Sequence, residues 1–155
     1  MSDLIVRRAT ADDVPVLAAL IDGFAKGHPA EGHVRSVGTL RDALFGGQPI
    51  ANVLLAERDA TAIGFGAWRK AHDLFWSMYG GDGLGLYVIP AQRGFGIGLC
   101  IVAAICADIR EHSGSRAELC ETDGWQYTGR IDDPTRRLSC AHGLCFGSLR
   151  YSRRS

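Results

Sequence analysis

Neither sign of charge is in excess in this sequence. Seventeen lysines and arginines balance seventeen aspartates and glutamates, so the formal net charge is zero. A surface that binds a polyanion needs an excess of basic residues, and nucleic acid is therefore not predicted as a partner. The basic residues from Arg150 to Arg154 are interpreted as a solvated chain end.

Long apolar runs are also absent. No stretch approaches the ~20 apolar residues that cross a bilayer, and glycines interrupt the longest one, from Gly94 to Ala107. The N-terminus lacks the charged and then apolar segments of a secretory signal. We therefore expect no membrane partner and a location in the cytoplasm.

The cysteines do not follow the pattern of a disulfide framework or of a zinc site. They are odd in number and widely spaced. Cys140, His142 and Cys145 lie together, but three ligands at this spacing do not match a usual zinc motif. We predict no metal. The five cysteines are Cys100, Cys106, Cys120, Cys140 and Cys145.

Length and apolar content predict one domain over residues 1–155. A chain of 155 residues with 46% hydrophobic residues can bury an ordinary core.

A β-branched run predicts a first strand from Leu4 to Arg8. The next helix is predicted to begin near Asp12, because capping at Thr10 would place Pro15 on an amide that the helix needs.

The middle of the chain predicts a short helix and two strands. The helix runs from Leu40 to Phe45, before a Gly46-Gly47 stop. Strands are predicted from Ile50 to Glu57 and from Thr61 to Arg69. Gly64 and Gly66 in the second strand indicate a close neighbour. A turn is expected over Lys70 to Asp73.

A glycine-rich turn between a strand and an apolar helix is the most informative stretch. The strand runs from Leu84 to Ile89, the turn contains Gly94, Gly96 and Gly98, and the helix contains the run from Leu99 to Ile109. The first amides of such a helix have no partner inside it and favour a phosphate. The spacing matches neither the dinucleotide fingerprint nor the Walker loop. A structural turn remains the alternative.

After this helix, Ala117 to Glu121 is predicted to form another strand. The strand, helix, strand order predicts a right-handed crossover, with this strand parallel to the one from Leu84 to Ile89. The end of the helix, including Asp108, Arg110 and Glu111, is expected to be exposed.

The combination of Val88, Pro90, Arg93, Gly96 and Gly98 resembles the pyrophosphate loop of the GNAT superfamily of acyl-CoA-dependent N-acyltransferases. The resemblance covers the chain to about residue 121. It implies a mixed α/β fold: a mostly antiparallel sheet flanked by helices, with two central parallel strands that splay apart. It also implies acetyl-CoA as acyl donor and a primary amine of a small molecule or peptide as acceptor. Many members are dimers, so a homodimer is expected by analogy.

The resemblance also assigns roles to residues. The N–H of Val88 becomes the donor to the oxyanion, and backbone amides of the glycine turn bind the pyrophosphate. The implied cofactor-binding residues are Tyr87, Val88, Ile89, Arg93, Gly94, Phe95, Gly96, Ile97 and Gly98.

The sequence does not decide which groups transfer protons. Glu57, Asp82 and Glu121 are the candidates for the general base. Tyr127 and His142 are preferred to Cys140 as the acid for the leaving thiolate.

The C-terminal part departs from the family pattern, because Ala141 stands where a tyrosine is usual. A CoA-binding module without catalysis is therefore one alternative. A nucleotide-binding regulator is a further alternative. His28, Glu31 and His33 are either contacts of the acceptor or ordinary residues of a surface loop.

Overall fold

The computed structural model describes residues 3–26, 36–74, 78–113 and 119–120. Two 3-10 turns accompany the regular elements, one before the first helix and one before the third, at Ala11–Asp13 and Pro90–Gln92. The helices are α1 (Val14–Ala25), α2 (Val37–Phe45) and α3 (Ile97–Ser113), and the strands are β1 (Leu4–Arg8), β2 (Asn52–Arg58), β3 (Thr61–Asp73), β4 (Met78–Val88) and β5 (Leu119–Cys120).

The strands form one sheet in the order β1-β2-β3-β4-β5. Each of the pairs from β1 to β4 is antiparallel. β5 lies parallel to β4, with Gly81 opposite Leu119 and Asp82 opposite Cys120. The predicted mixed, mostly antiparallel sheet is confirmed, and so is the parallel strand after α3. Any divergence of β4 and β5 beyond Cys120 lies outside the described residues.

Helices cover both faces of the sheet. The alternation of side chains along β2 separates two cores: Val53 and Leu55 pack with α1, whereas Leu54 and Ala56 pack with α3. The predicted apolar face of α3 is buried, as expected for a helix on a sheet. It consists of Leu99, Val102, Ile105, Cys106 and Ile109.

Glycines let α3 approach the sheet closely. A Cβ on Gly66 would lie 2.7 Å from Cδ1 of Ile105, and one on Gly81 would lie 2.5 Å from Cδ1 of Ile109. Both distances are too short for carbon atoms in contact. The prediction that Gly64 and Gly66 have a close neighbour is confirmed.

The predicted turn over Lys70 to Asp73 is wrong, because β3 continues to Asp73 and β4 begins at Met78. Lys70 pairs with Gly81, so the glycines before Gly83 lie inside a strand. Glycine disfavours strands because it has no side chain to pack. At Gly81 that cost is offset, since Ile109 and Trp68 fill the space beside its Cα.

The starts of the first two helices differ from those predicted, because α1 begins at Val14, after a 3-10 turn, and α2 begins at Val37 rather than at Leu40. Thr10 caps the 3-10 turn that precedes α1, and its N–H donates to Oδ2 of Asp13 at 2.7 Å. The turn takes up three residues, so Pro15 still lies in the first turn of α1, where it needs no N–H partner. The predicted cap at Asp12 is therefore wrong. α2 begins at Val37, where Ser36 accepts from the N–H of Thr39.

We expect Asp13→Ala to lower the free energy of unfolding by about 1 kcal/mol at pH 7, a usual effect of losing a helix cap. Hydrogen bonds from Arg7 hold the pKa of Asp13 well below its ordinary value of 3.8. This stabilisation is thus present above about pH 4 and is lost as the pH falls further. Urea unfolding at pH 7 and pH 3 should show a smaller difference between variant and wild type at pH 3.

The matched control for this prediction is Asp12→Ala, since Asp12 is exposed in the same turn. Its effect should stay within about 0.5 kcal/mol at both pH values, as for most surface changes. An equal loss in the two variants would show that the link between Arg7 and Asp13 does not stabilise the start of α1.

Asp108 is buried, contrary to the expectation that this end of α3 is exposed. Its side chain is 7% exposed. Its carboxylate accepts from the indole N–H of Trp68 at 2.8 Å and from two guanidinium nitrogens of Arg8 at 2.7 and 2.8 Å. These contacts join α3 to β1 and β3.

Cys100 is disulfide-bonded, which the spacing of the cysteines did not predict. Cys106 is a free, buried thiol.

Among the described residues, no helix is both long enough and apolar enough to cross a bilayer.

Candidate functional site

The open edge of β4 carries the backbone groups of Val88. The N–H of Ile89 donates to the carbonyl of Ile63 at 2.9 Å, toward β3. Backbone groups alternate in direction along a strand, so the N–H and C=O of Val88 point away from β3, toward the side of β5. The described part of β5 pairs with Gly81 and Asp82 of β4, six or more residues before Val88. Within the described chain, the N–H of Val88 therefore faces an edge with no strand partner.

Arg93 connects this edge to the glycine turn. Its Nε donates to the carbonyl oxygen of Val88 at 2.9 Å, and its Cζ lies 5.6 Å from the ring centroid of Tyr87. The guanidinium thus lies over an aromatic face while it bonds the peptide next to it. No carboxylate of the described chain is paired with Arg93, so its charge is available to an anion.

The glycine turn presents the first amides of α3. Gly94 and Gly96 have φ values of 84° and 76°, which only glycine adopts readily. The first helical bond runs from the N–H of Cys100 to the carbonyl of Gly96 at 3.1 Å. The N–H groups of Ile97, Gly98 and Leu99 precede it and have no acceptor within the helix. The positive end of the helix dipole lies at the same place, so this turn favours an anion.

Several solved structures that superimpose on this chain are acetyltransferases. A ribosomal-protein-alanine N-acetyltransferase from Brucella melitensis biovar Abortus 2308 superimposes with a TM-score of 0.65 over 79% of this chain and 81% of its own, at 18% identity. An aminoglycoside acetyltransferase from an uncultured soil metagenomic sample, in complex with sisomicin, gives 0.63 over 77% and 78%, at 16% identity. This chain has the GNAT fold.

A third structure with the GNAT fold extends the likeness to a eukaryotic protein. An acetyltransferase from Trypanosoma brucei gives a TM-score of 0.57 over 78% of this chain and 84% of its own, at 16% identity. Comparison of the sequence with known family models and with curated proteins found no match. The likeness is therefore one of fold.

Within the GNAT fold, the side chains of Tyr87 and Val88 point to opposite faces of the sheet. The ring of Tyr87 packs 6.4 Å from the ring of Phe65, on the side of α1. A Cβ on Gly23 of α1 would lie 2.6 Å from the phenolic oxygen of Tyr87. Val88 packs against the core under α3. The backbone at the end of β4 is thus held from both sides.

The structure brings together the predicted residues of the turn, but not all of the proposed proton-transfer groups. Glu57 accepts from Arg7 at 2.7 and 3.0 Å, next to β1 and two strands from β4. This ion pair engages the carboxylate on the side of β1, so we do not propose Glu57 as the base. The backbone of Asp82 lies six residues before Val88, on the order of 20 Å along the strand.

Seven residues considered in the sequence lie outside the described residues. Three were possible acceptor contacts, and four were proton-transfer candidates. They are His28, Glu31, His33, Glu121, Tyr127, Cys140 and His142.

One residue beside the turn escaped the sequence analysis. Arg58, at the end of β2, donates from Nη1 to Oε1 of Gln92, and its Cζ lies 6.0 Å from the ring centroid of Phe95. Phe95 is 61% exposed. The hairpin from β2 to β3 brings Arg58 to the turn, which lies 34 residues further along the chain at Gln92. No local pattern in the sequence contains this information.

A cavity of about 480 Å³ lies away from the turn, between β1 and α3. Asp108, Glu111 and His112 approach one another there closely enough to share a cation. However, the carboxylate of Asp108 already bonds Arg8 and Trp68. The arginine cation next to it opposes a divalent ion, so we assign this group a structural role.

Proposed function

We propose that this protein transfers an acetyl group from acetyl-CoA to a primary amine of a small molecule or peptide. The observation that carries the proposal is the continuity of two backbone features. The N–H of Val88, which has no strand partner in the described part of the chain, and the first amides of α3 lie at the two ends of one short turn, joined by the bond from Arg93 to Val88. A thioester carbonyl at the first and a diphosphate at the second would match acetyl-CoA.

The reaction is direct attack within a ternary complex. An amine enters as a largely protonated ammonium, because its pKa is near ~10.4, and must first lose a proton. Its lone pair then attacks the thioester carbon, and the N–H of Val88 donates to the oxyanion. Such a preorganised donor contributes roughly 2.7–4 kcal/mol to lowering the barrier. The nitrogen, which carries a positive charge after the attack, gives up its second proton as the C–S bond breaks, and the CoA thiolate takes up a proton.

For proton transfer we propose Glu121 as the base and Tyr127 as the acid. Glu121 directly follows β5, which pairs with β4 at Gly81 and Asp82. Tyr127 follows six residues later in the sequence. Both assignments rest on the sequence. A homodimer and a cytoplasmic location also stay predictions.

Ligand-induced stabilisation tests the cofactor. Acetyl-CoA and CoA at 100 times their dissociation constants should each raise the free energy of unfolding by ~2.7 kcal/mol, and ATP and NAD should not. A thermal unfolding assay reads this as a shift of the melting temperature. Stabilisation by ATP or NAD alone would support a nucleotide-binding regulator and contradict our proposal.

Turnover tests the catalysis. Release of the CoA thiol is followed with a panel of amines that includes an aminoglycoside and a peptide with a free N-terminal alanine, the acceptor types named for two similar structures. Turnover with one of them would support the proposal. Stabilisation by CoA without any acetylation across the panel would leave a binding module and overturn the proposed reaction.

Direct attack also predicts that the free thiol in α3 takes no part. Cys106 is buried, and burial raises the pKa of its thiol to about 12. A neutral, buried thiol is a poor nucleophile. We expect Cys106→Ala to keep wild-type turnover at 25 °C, and mass spectrometry of the native protein with acetyl-CoA to show no acetyl group on Cys106. A covalent acetyl group there would contradict direct attack.

A further inference from the structure

Two arginines flank the glycine turn without a carboxylate partner in the described chain. Arg93 bonds a backbone carbonyl, and Arg58 bonds the neutral side chain of Gln92. By contrast, Arg7 is paired with Asp13 and Glu57. A fixed cation without a counter-ion is a natural partner for an anion.

Arg58 is held in place by the turn itself. Its Nη1 bonds Gln92 and its guanidinium lies near the ring of Phe95, while its buried Nε has no acceptor among the described residues. These contacts fix the guanidinium but leave its charge unneutralised. Several of its five N–H donors remain for a ligand.

Phe95 offers a ring surface at the same place. It lies between Gly94 and Gly96. Its side chain is 61% exposed, so the ring is accessible to a ligand. Exposed aromatic rings next to basic groups are suited to stack on a base. An arginine and an exposed ring together fit a phosphorylated nucleoside.

The proposed acyl donor contains such a group. In coenzyme A one ribose separates the diphosphate from both the adenine and a 3′-phosphate. A ligand whose diphosphate lies on the amides of the turn therefore carries its base and its 3′-phosphate close to the residue in the middle of that turn.

We propose that Arg58 and Phe95 form the subsite for the 3′-phosphoadenosine end of coenzyme A. Arg58 pairs with the 3′-phosphate and Phe95 stacks on the adenine, so Arg58 sets the preference for CoA over its 3′-dephospho form. This inference rests on the proposed function. Gln92 holds Arg58 in position and has no contact with the ligand in this arrangement.

The test is to measure the dissociation constants of CoA and 3′-dephospho-CoA by calorimetry. Charge-assisted hydrogen bonds contribute about 1.5–3 kcal/mol, so the wild type should bind CoA at least about tenfold more tightly. Arg58→Ala should weaken CoA binding to the level of dephospho-CoA and leave dephospho-CoA unchanged. Phe95→Ala should weaken both ligands by about tenfold and keep their ratio, whereas Phe95→Tyr should keep both affinities.

Two further variants separate the subsite from a structural role of Arg58. Arg58→Lys keeps the charge and should retain part of the preference for CoA. Arg110→Ala removes an exposed arginine at the far end of α3 and should change neither constant. Melting temperatures without ligand show whether each variant is folded. If Arg58→Ala does not fold, the affinities of the wild type and of Arg58→Lys for CoA and dephospho-CoA still test the subsite.

The outcomes distinguish this inference from the proposed function. Equal wild-type affinity for the two ligands, or an equal loss for both in Arg58→Ala, would overturn the subsite while acetyl transfer stands. If Phe95→Ala left both affinities unchanged, the stacking role would fall. If the wild type bound neither CoA nor dephospho-CoA, both proposals would fall together.

Discussion

Gly96→Trp is expected to remove the thermal stabilisation by acetyl-CoA and CoA altogether. Gly96 has a φ of 76°, a region that tryptophan does not adopt without strain, and its carbonyl accepts the first helical bond of α3. The indole would also project from the turn that we propose for the diphosphate. At 100 times the wild-type dissociation constant, the ~2.7 kcal/mol of stabilisation should fall to near zero. Turnover should be lost with it.

Gly47→Trp is the matched control for this variant. Gly47 is exposed after α2, and a Cβ there would meet nothing within 4 Å. It should therefore respond to acetyl-CoA as the wild type does. If Gly96→Trp folded and kept the full shift, the glycine turn could not be the binding site.

Asp108→Ala is expected to cause the largest loss of stability, about 3 kcal/mol in the free energy of unfolding. The change leaves the indole N–H of Trp68, whose side chain is fully buried, without an acceptor, and it leaves Arg8 without its counter-ion. An unsatisfied buried donor costs about 1–3 kcal/mol, and the loss of the ion pair adds less because Arg8 is half-exposed and can be solvated by water. Equilibrium unfolding in urea at pH 7 measures the difference.

Asp108→Asn and Glu111→Ala complete this experiment. Asparagine can still accept from Trp68, so Asp108→Asn should lower the free energy of unfolding by less than Asp108→Ala does. Glu111 is exposed in the same turn of α3, and its removal should change the stability by no more than about 0.5 kcal/mol. A loss below 1 kcal/mol in Asp108→Ala would show that this carboxylate does not hold α3 to β1 and β3.

The parts of the fold that the sequence predicted are those set by local constraints. The buried face of α3 follows from helical spacing, and the glycine turn follows from backbone geometry that only a few residues allow. The parallel strand after α3 follows from the order of strand, helix and strand along the chain. Each of these signals lies within one continuous stretch of the chain.

The features that it missed depend on partners far along the chain. Asp108 is buried because Trp68 and Arg8, 40 and 100 residues away, satisfy its carboxylate. Gly81 lies within a strand because side chains from α3 and β3 fill the space that it leaves. Arg58 meets Phe95 only once the sheet has formed. No window of sequence contains both members of these pairs.

The peptide groups at Val88 and at the start of α3 have a consequence for how such a chain can evolve. Every residue type except proline has an N–H, so a site made from main-chain donors fixes the path of the chain more than the identity of its side chains. Substitutions can accumulate while the donors stay in place. This accounts for a chain whose shape is recognisable at 16–18% identity although its sequence matches no family model. For such proteins, superposition of backbones detects a shared fold that comparison of sequences does not.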